Sequence, residues 1–259
     1  MIQASASGRR HGAARRLVAG SLSRAVSGLL AATPFLLLAG PAPAQTVRPV
    51  VVQLHGTKVQ GKLELVNDGL APISVVLEPQ SFDVTEQGEA IYRPLDPRIR
   101  LRLSGTSFRI PPRQSRFVFY EARADSLPAW FVIPCTFVGP PATSGLQIQV
   151  ELPHTVYMVQ KEALKREDIE IRQVVYSPGE KGITVDLENV SPRLGRALEA
   201  EISGKGMKRS QPSFPLVPRS RRHLVIPWDY SQQAPDLLTL RFQGFRIDLP
   251  LADVLQVTK

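Results

Sequence analysis

Three histidines, one cysteine and the carboxylates of 23 Asp and Glu are what the chain beyond residue 44 offers for chemistry. His55, His154 and His223 show neither the H-E-x-x-H spacing nor any paired spacing that would put two imidazoles on one metal ion. No G-x-S-x-G elbow presents a serine, and no glycine-rich loop precedes a helix to cradle phosphate. Cys135 lies in FVIPCTFVG, an apolar strand-like run that suits a small buried thiol rather than an ionised nucleophile. Asp83 and Asp96 fall in turn-rich sequence without a carboxylate partner for acid–base work. Arg219, Arg221 and Arg222 cluster before His223 and read as a solvated turn or edge, with an anionic contact surface as the alternative. Trp130 and Trp228 bound apolar runs and are assigned to the core. The expectation is a binding protein and not an enzyme, with no catalytic residue, metal ligand or cofactor.

The charge balance agrees with that expectation. Residues 1–44 carry five Arg and no acid, then the apolar run GLLAATPFLLLAG and Ala42-Pro43-Ala44. A basic start, a short apolar stretch and an A-x-A site make a secretory signal peptide. The apolar run is shorter than the roughly 20 residues of a membrane-spanning helix and contains Pro34, so no stable membrane insertion is expected. No Cys stands at the cleavage site, which argues against a lipoprotein; Arg15-Arg16 admits a twin-arginine route, although LVAG after it favours ordinary export. Removing the leader takes the net charge from +9 to +4, and no basic stripe interleaves with aromatics, so nucleic acid is not an expected partner. With a single cysteine the chain cannot close an intramolecular disulfide even in an oxidising compartment. Its stability rests on packed cores, and the length beyond Ala44 suffices for two.

The elements are short strands. GKLELVND alternates Leu63 and Leu65 with Lys62 and Glu64, the period of a half-buried strand, and nine further segments do the same between Gly, Pro, Asn and Asp turns. QKEALKRED at 160–168 is the best helix candidate and the natural linker. The chain also repeats itself: FRIPPRQSRFVF from Phe108 and FPLVPRSRRHLVI from Phe214 share a Pro turn leading into an apolar strand. Each is preceded by a strand ending in Asn, Asn67 or Asn189, and resuming after Pro72 or Pro192. The Asn–Pro punctuation predicts a hairpin in each half, with Asn bonding nearby backbone. Duplication and convergence on one turn chemistry both explain the repeat. The fold class expected is all-β, two β-sandwiches in tandem.

LELVNDGLAPISVVLE, FRIPPRQSRFVFYEA, FVIPCTFVGPP and LQIQVEL, in that order, resemble the N-terminal domain of the PapD-like periplasmic pilus chaperones. The resemblance covers roughly residues 47–160, with a weaker echo in the second half. It implies a signal peptide over 1–44 and two immunoglobulin-like domains, 45–160 and 161–259, set like a boomerang. It also implies a periplasmic chaperone of fimbria biogenesis that binds exported pilin-type or surface-protein subunits by donor-strand complementation, with an outer-membrane usher as a further partner.

Such a donor strand must lie at a sheet edge and present apolar side chains at every second position. GLQIQVEL offers Leu146, Ile148, Val150 and Leu152 on one face and Gln147, Gln149 and Glu151 on the other. Alternation alone leaves open whether those four fill a client or face the domain's own core. The family holds a client's terminal carboxylate with two cations in the interdomain cleft, and the matching positions here are Val51 and Thr155, neither charged. His154 is adjacent but of opposite parity, and Pro153, lacking an N–H, is expected to interrupt the strand. Val51, His154 and Thr155 thus mark a cleft without its clamp. The second class of function is a non-catalytic periplasmic immunoglobulin-like binding or adaptor module without chaperone activity.

Overall fold

The computed structural model describes residues 45–141, 145, 147–229, 234–252 and 255–257. Residues 1–44, read above as a signal peptide, and Leu146 lie outside the described residues. Eleven strands build a first sandwich: β1 (Gln45–Arg48), β2 (Val51–His55), β3 (Lys58–Asn67), β4 (Ile73–Leu77), β5 (Gln80–Val84), β6 (Ala90–Pro94), β7 (Ile99–Leu103), β8 (Ser107–Ile110), β9 (Gln114–Ala124), β10 (Ala129–Val138) and β11 (Gln149–Val159). One sheet runs β1-β3-β9-β7; the other runs β2-β11-β10-β4-β8, with the β5–β6 hairpin attached to β10. A second sandwich follows from β12 (Ile169–Ser177), β13 (Gly182–Asn189), β14 (Gly195–Gly204), β15 (Met207–Leu216), β16 (Ser220–Pro227), β17 (Leu237–Arg241), β18 (Arg246–Pro250) and β19 (Leu255–Val257). Its sheets run β16-β13-β12-β19 and β15-β14-β17-β18. The chain therefore folds as two immunoglobulin-like sandwiches.

Alternation sets what each strand buries. On β3, Val59, Leu63 and Leu65 turn inward while Lys58, Gln60 and Lys62 face water. The run of β10 is apolar on both faces for a reason that alternation does not supply. Phe131, Ile133, Cys135 and Phe137 enter the first core, while Val132 enters a separate cluster with Phe82, Tyr157, Val159 and Leu194 of the second sandwich. That cluster joins the two sandwiches. A backbone bond from His223 N–H to the Glu86 carbonyl (2.7 Å) adds to the junction.

The repeated Asn motif is a staple between sheets. β3 and β4 lie in different sheets, as do β13 and β14, so the expected hairpins are instead arches that cross the sandwich. The following Pro turns are arches too, carrying β8 into β9 and β15 into β16. Fully buried Asn67 ties the two arches together: Nδ2 donates to the carbonyls of Ala71, Ile110 and Pro111, and Oδ1 accepts from Gly69 N–H. Asn189 does the same with Arg193, Leu216 and Val217, and Oδ1 accepts from the Ser191 N–H and hydroxyl. Arg113 and Arg219, each just after the Pro, both adopt left-handed backbone, φ 58° and 52°. The stretch from the Asn to the following Pro turn is longer in the first half because β5, β6 and β7 are inserted there.

The helix expected over 160–168 reduces to one 3₁₀ turn, Arg166–Asp168. The segment has no apolar stripe to bury, and short helices do not persist without one. Asp168 instead accepts from Lys165 N–H (2.8 Å) and pairs with Arg193 (2.8 Å), which fastens the linker to the second sandwich.

Candidate functional site

Histidine, cysteine and carboxylate side chains do not converge among the described residues, and no group of three or more of them is placed to hold a metal there. Cys135 is fully buried, its thiol donating to the Ile133 carbonyl (3.3 Å), and burial pushes its pKa up to about 12, away from thiolate chemistry. Asp96 is held down to about 2 by its bonds to Arg98, and Asp83 pairs with Arg93. His223 contacts Asp186 (2.7 Å) on the edge strand β16, and Trp228 is core. Trp130, half-buried at the junction, donates its indole N–H to the Phe82 carbonyl (2.7 Å).

The unusual feature of the surface is an unpaired edge. Strand β11 pairs antiparallel with β10 along its length, from Gln149↔Val138 to Met158↔Ala129. On its other side β2 covers only Thr155–Val159, in parallel. Gln149–Pro153 therefore lack a strand neighbour on that side among the described residues. The chain reaches β2 from β1, which belongs to the opposite sheet, by crossing at Pro49 and Val50. That crossing leaves the first half of β11 uncovered.

The apolar face of this half shows graded burial. Leu152 packs against the first core, Val150 is half-buried, and Ile148, just before the strand, is 65% exposed. Ile148 and Val150 line an open groove of about 410 Å³ with Leu70, Ile73, Phe137 and Pro140. Leu70 is 78% exposed, so apolar surface continues past the strand onto the Asn67 arch. The opposite face carries Gln149, Glu151 and Pro153, all exposed.

Pro153 does not break the strand. Its cross-strand partner is Pro134, and neither residue has an N–H, so this pair faces its polar groups away from itself. The Pro134 carbonyl accepts from Glu78 N–H on the far side (3.4 Å), and Thr155, two residues beyond Pro153, donates its N–H outward to the Val50 carbonyl (2.7 Å). The expected interruption fails because Pro153 lacks a donor only where β11 has no neighbour.

At the lower end of the free edge the structure separates the three cleft positions. Val51 and Thr155 are register partners across β2 and β11, on the face toward the second sandwich, and Val51 packs on the joining cluster. His154 turns the other way, into the first core, fully buried. Its Nδ1–H donates to the Pro49 carbonyl (2.6 Å), so its Nε2 is left to accept from the Tyr120 hydroxyl (3.2 Å). The Tyr120 ring occupies space above Gly61, where a Cβ would come within 2.2 Å of the ring, and burial raises its pKa to about 12. This network pins the crossing at Pro49 and so fixes where β2 begins to cover β11. A cation of the second sandwich reaches the junction: Arg196, bonded to Ser213 Oγ, lines a pocket there with Gln53, His55 and Val159. Burial raises the pKa of the nearby Tyr157 phenol, against a weaker opposing pull from the Arg196 charge. No local signal in the sequence marks Arg196, because it is brought there by the docking of one sandwich on the other.

Burial lowers the pKa of His154, against the weaker opposing pull of its bond to Pro49. A folded value below the unfolded one, near 6.5, means that the unfolded chain binds the proton more tightly. The stability contributed by neutral His154 is full above about pH 6.5 and is lost as pH falls through the folded value. Thermal melts between about pH 7.5 and about pH 5 should show a steeper fall for the wild type than for His154→Gln, which cannot titrate there. Equal slopes would assign the acid sensitivity to other groups.

No family model matches the sequence, and no curated protein matches it. Among solved structures the chain is similar to the SafB chaperone of Salmonella enterica, solved in complex with the SafA pilin. The identity is 12% over 82% of this chain and 99% of that one, with a TM-score of 0.54. It is also similar to CsuC of Acinetobacter baumannii, solved in a pre-assembly complex with the tip adhesion subunit CsuE (12% identity, 83% and 100% covered, TM-score 0.48). The E. coli chaperone DraB is a third (13% identity, 81% and 99% covered, TM-score 0.48). The likeness to SafB shows that the fold is the one on which that pilus chaperone is built.

Proposed function

We propose that the protein is a divergent periplasmic chaperone that holds exported, pilin-type subunits by lending them the free edge of β11. The observation that carries this reading is the uncovered edge at Gln149–Pro153 beside the exposed Ile148 and half-buried Val150. An edge of this kind is an aggregation liability when it stands alone, and its natural use is to pair with another chain. The fold shared with SafB, whose solved complex holds a pilin, supports the same use. The signal peptide read at 1–44 supports a periplasmic location, and the role proposed for the site is binding. Because Val51 and Thr155 are uncharged, capture rests on strand pairing and apolar side chains.

The experiment uses the direction of the backbone. The Glu151 N–H points outward like that of Thr155, so Glu151→Pro deletes an edge donor and leaves the ladder to β10 intact. The wild type should co-purify from periplasmic extract with an exported subunit identified by mass spectrometry, and Glu151→Pro should lose it while melting as before. Retention of the same partner by the proline variant would show that the partner does not add to this edge and would favour an adaptor that binds by another surface.

A further inference from the structure

We infer that Pro153 is a register stop for the client strand, an inference that rests on the strand-lending reading above. Odd-numbered residues of β11 point their backbone groups away from β10, as the outward bonds of Thr155 N–H to Val50 and of the Val159 carbonyl to Gly56 N–H (3.2 Å) show. Within the free edge the outward N–H groups belong to Gln149 and Glu151, and the next outward position is Pro153, which has none. Beyond it Thr155 is already bonded to Val50. A client strand advancing toward β2 thus runs out of donors at Pro153 and meets the pyrrolidine ring there.

Side-chain alternation cannot supply this stop. A slip of one residue turns the apolar set of the client to the wrong face and is rejected, but a slip of two restores the facing. In a cleft with a charge at Val51 or Thr155 an anchored end would forbid the two-residue slip; here neither residue carries one. A missing donor at 153 does so instead, because any client carbonyl placed opposite it is desolvated without a partner.

The test maps register by disulfide trapping. Gln149→Cys places a thiol on the exposed edge, while the native Cys135 stays buried. The probe is a synthetic strand of alternating Val and Thr in which a single Cys is moved position by position. In the Gln149→Cys protein, cross-linking should peak at one probe position. With Pro153→Ala added, the peak should move by two positions, and probe affinity should rise about five-fold, the worth of one net backbone hydrogen bond. Pro153→Thr, a better strand former, should behave alike and guards against a fold defect in the alanine variant. An unmoved peak in both variants would overturn the register stop and leave strand lending standing. Cross-linking at no position in any of these proteins would overturn both.

Discussion

Ile148→Asp will abolish client capture and leave the melting temperature of the purified protein nearly unchanged. The side chain is 65% exposed and precedes the strand, and its carbonyl accepts from Gly139 N–H (3.2 Å), a bond that the substitution retains. The fold therefore loses little. A client that buries this side chain forfeits about 1.5–3 kcal/mol of apolar burial. It must also accommodate a carboxylate without a partner, which costs at least as much again. A loss of roughly 4 kcal/mol corresponds to about a thousand-fold weaker binding. Co-purification scored beside a thermal melt checks both halves of the statement. Leu152→Asp is the contrasting variant: Leu152 packs on the first core, so the same charge there should unfold that sandwich. Client retention by Ile148→Asp would remove Ile148 from the client's core, and a collapse of its melting temperature would assign it to the protein's own.

The second large effect is structural. Asn189→Ala should destabilise the protein by about 3–5 kcal/mol, since it leaves the carbonyls of Arg193, Leu216 and Val217 without their shared donor, at roughly 1–3 kcal/mol for each buried group. For a domain of about a hundred residues this lowers the midpoint by roughly 15 °C or more. Asn189→Asp retains the acceptor for Ser191 but not the donors, and should be nearly as damaging. Asn67→Ala removes the same three-carbonyl staple, but Asn67 borders the open groove where water can replace the lost amide, so its effect should be smaller. Urea denaturation of the three variants ranks them. A loss under about 1 kcal/mol for Asn189→Ala would mean that its carbonyls find other partners and that the staple is dispensable.

The repeated motif in the sequence is explained by these two asparagines, but only partly from the sequence. Asn67 and Asn189 are visible as punctuation before Pro72 and Pro192, and the Pro turns after Phe108 and Phe214 are visible as a pair. Read locally, Asn and Pro between two strands mean a hairpin. One carbonyl bonded by each amide is local, Ala71 or Arg193, but the other two come from the second motif, 43 and 44 residues away in one half and 27 and 28 in the other. A local pattern cannot say that two turns stack across a sandwich, because hydrogen-bond partners at that separation are fixed by which strands share a sheet.

By itself the sequence determined the all-β class, the two-sandwich length and the parity of β11, since each depends on residue type and on a two-residue period that survives any packing. It also determined that Val51 and Thr155 carry no charge. Tertiary structure alone decided which edge of β11 stays free, because the strand that covers its second half comes from about a hundred residues earlier and crosses between sheets at Pro49. It alone reversed the expectation for Pro153: a residue without an N–H breaks a ladder only on the side where the ladder exists, and that side is open. The inward turn of His154 onto Tyr120 and the arrival of Arg196 in the junction pocket with His55 and Val159 belong to the same class of fact. Each is a contact between elements distant in the chain, selected by the burial of apolar surface between sheets and between sandwiches, on which local alternation carries no information.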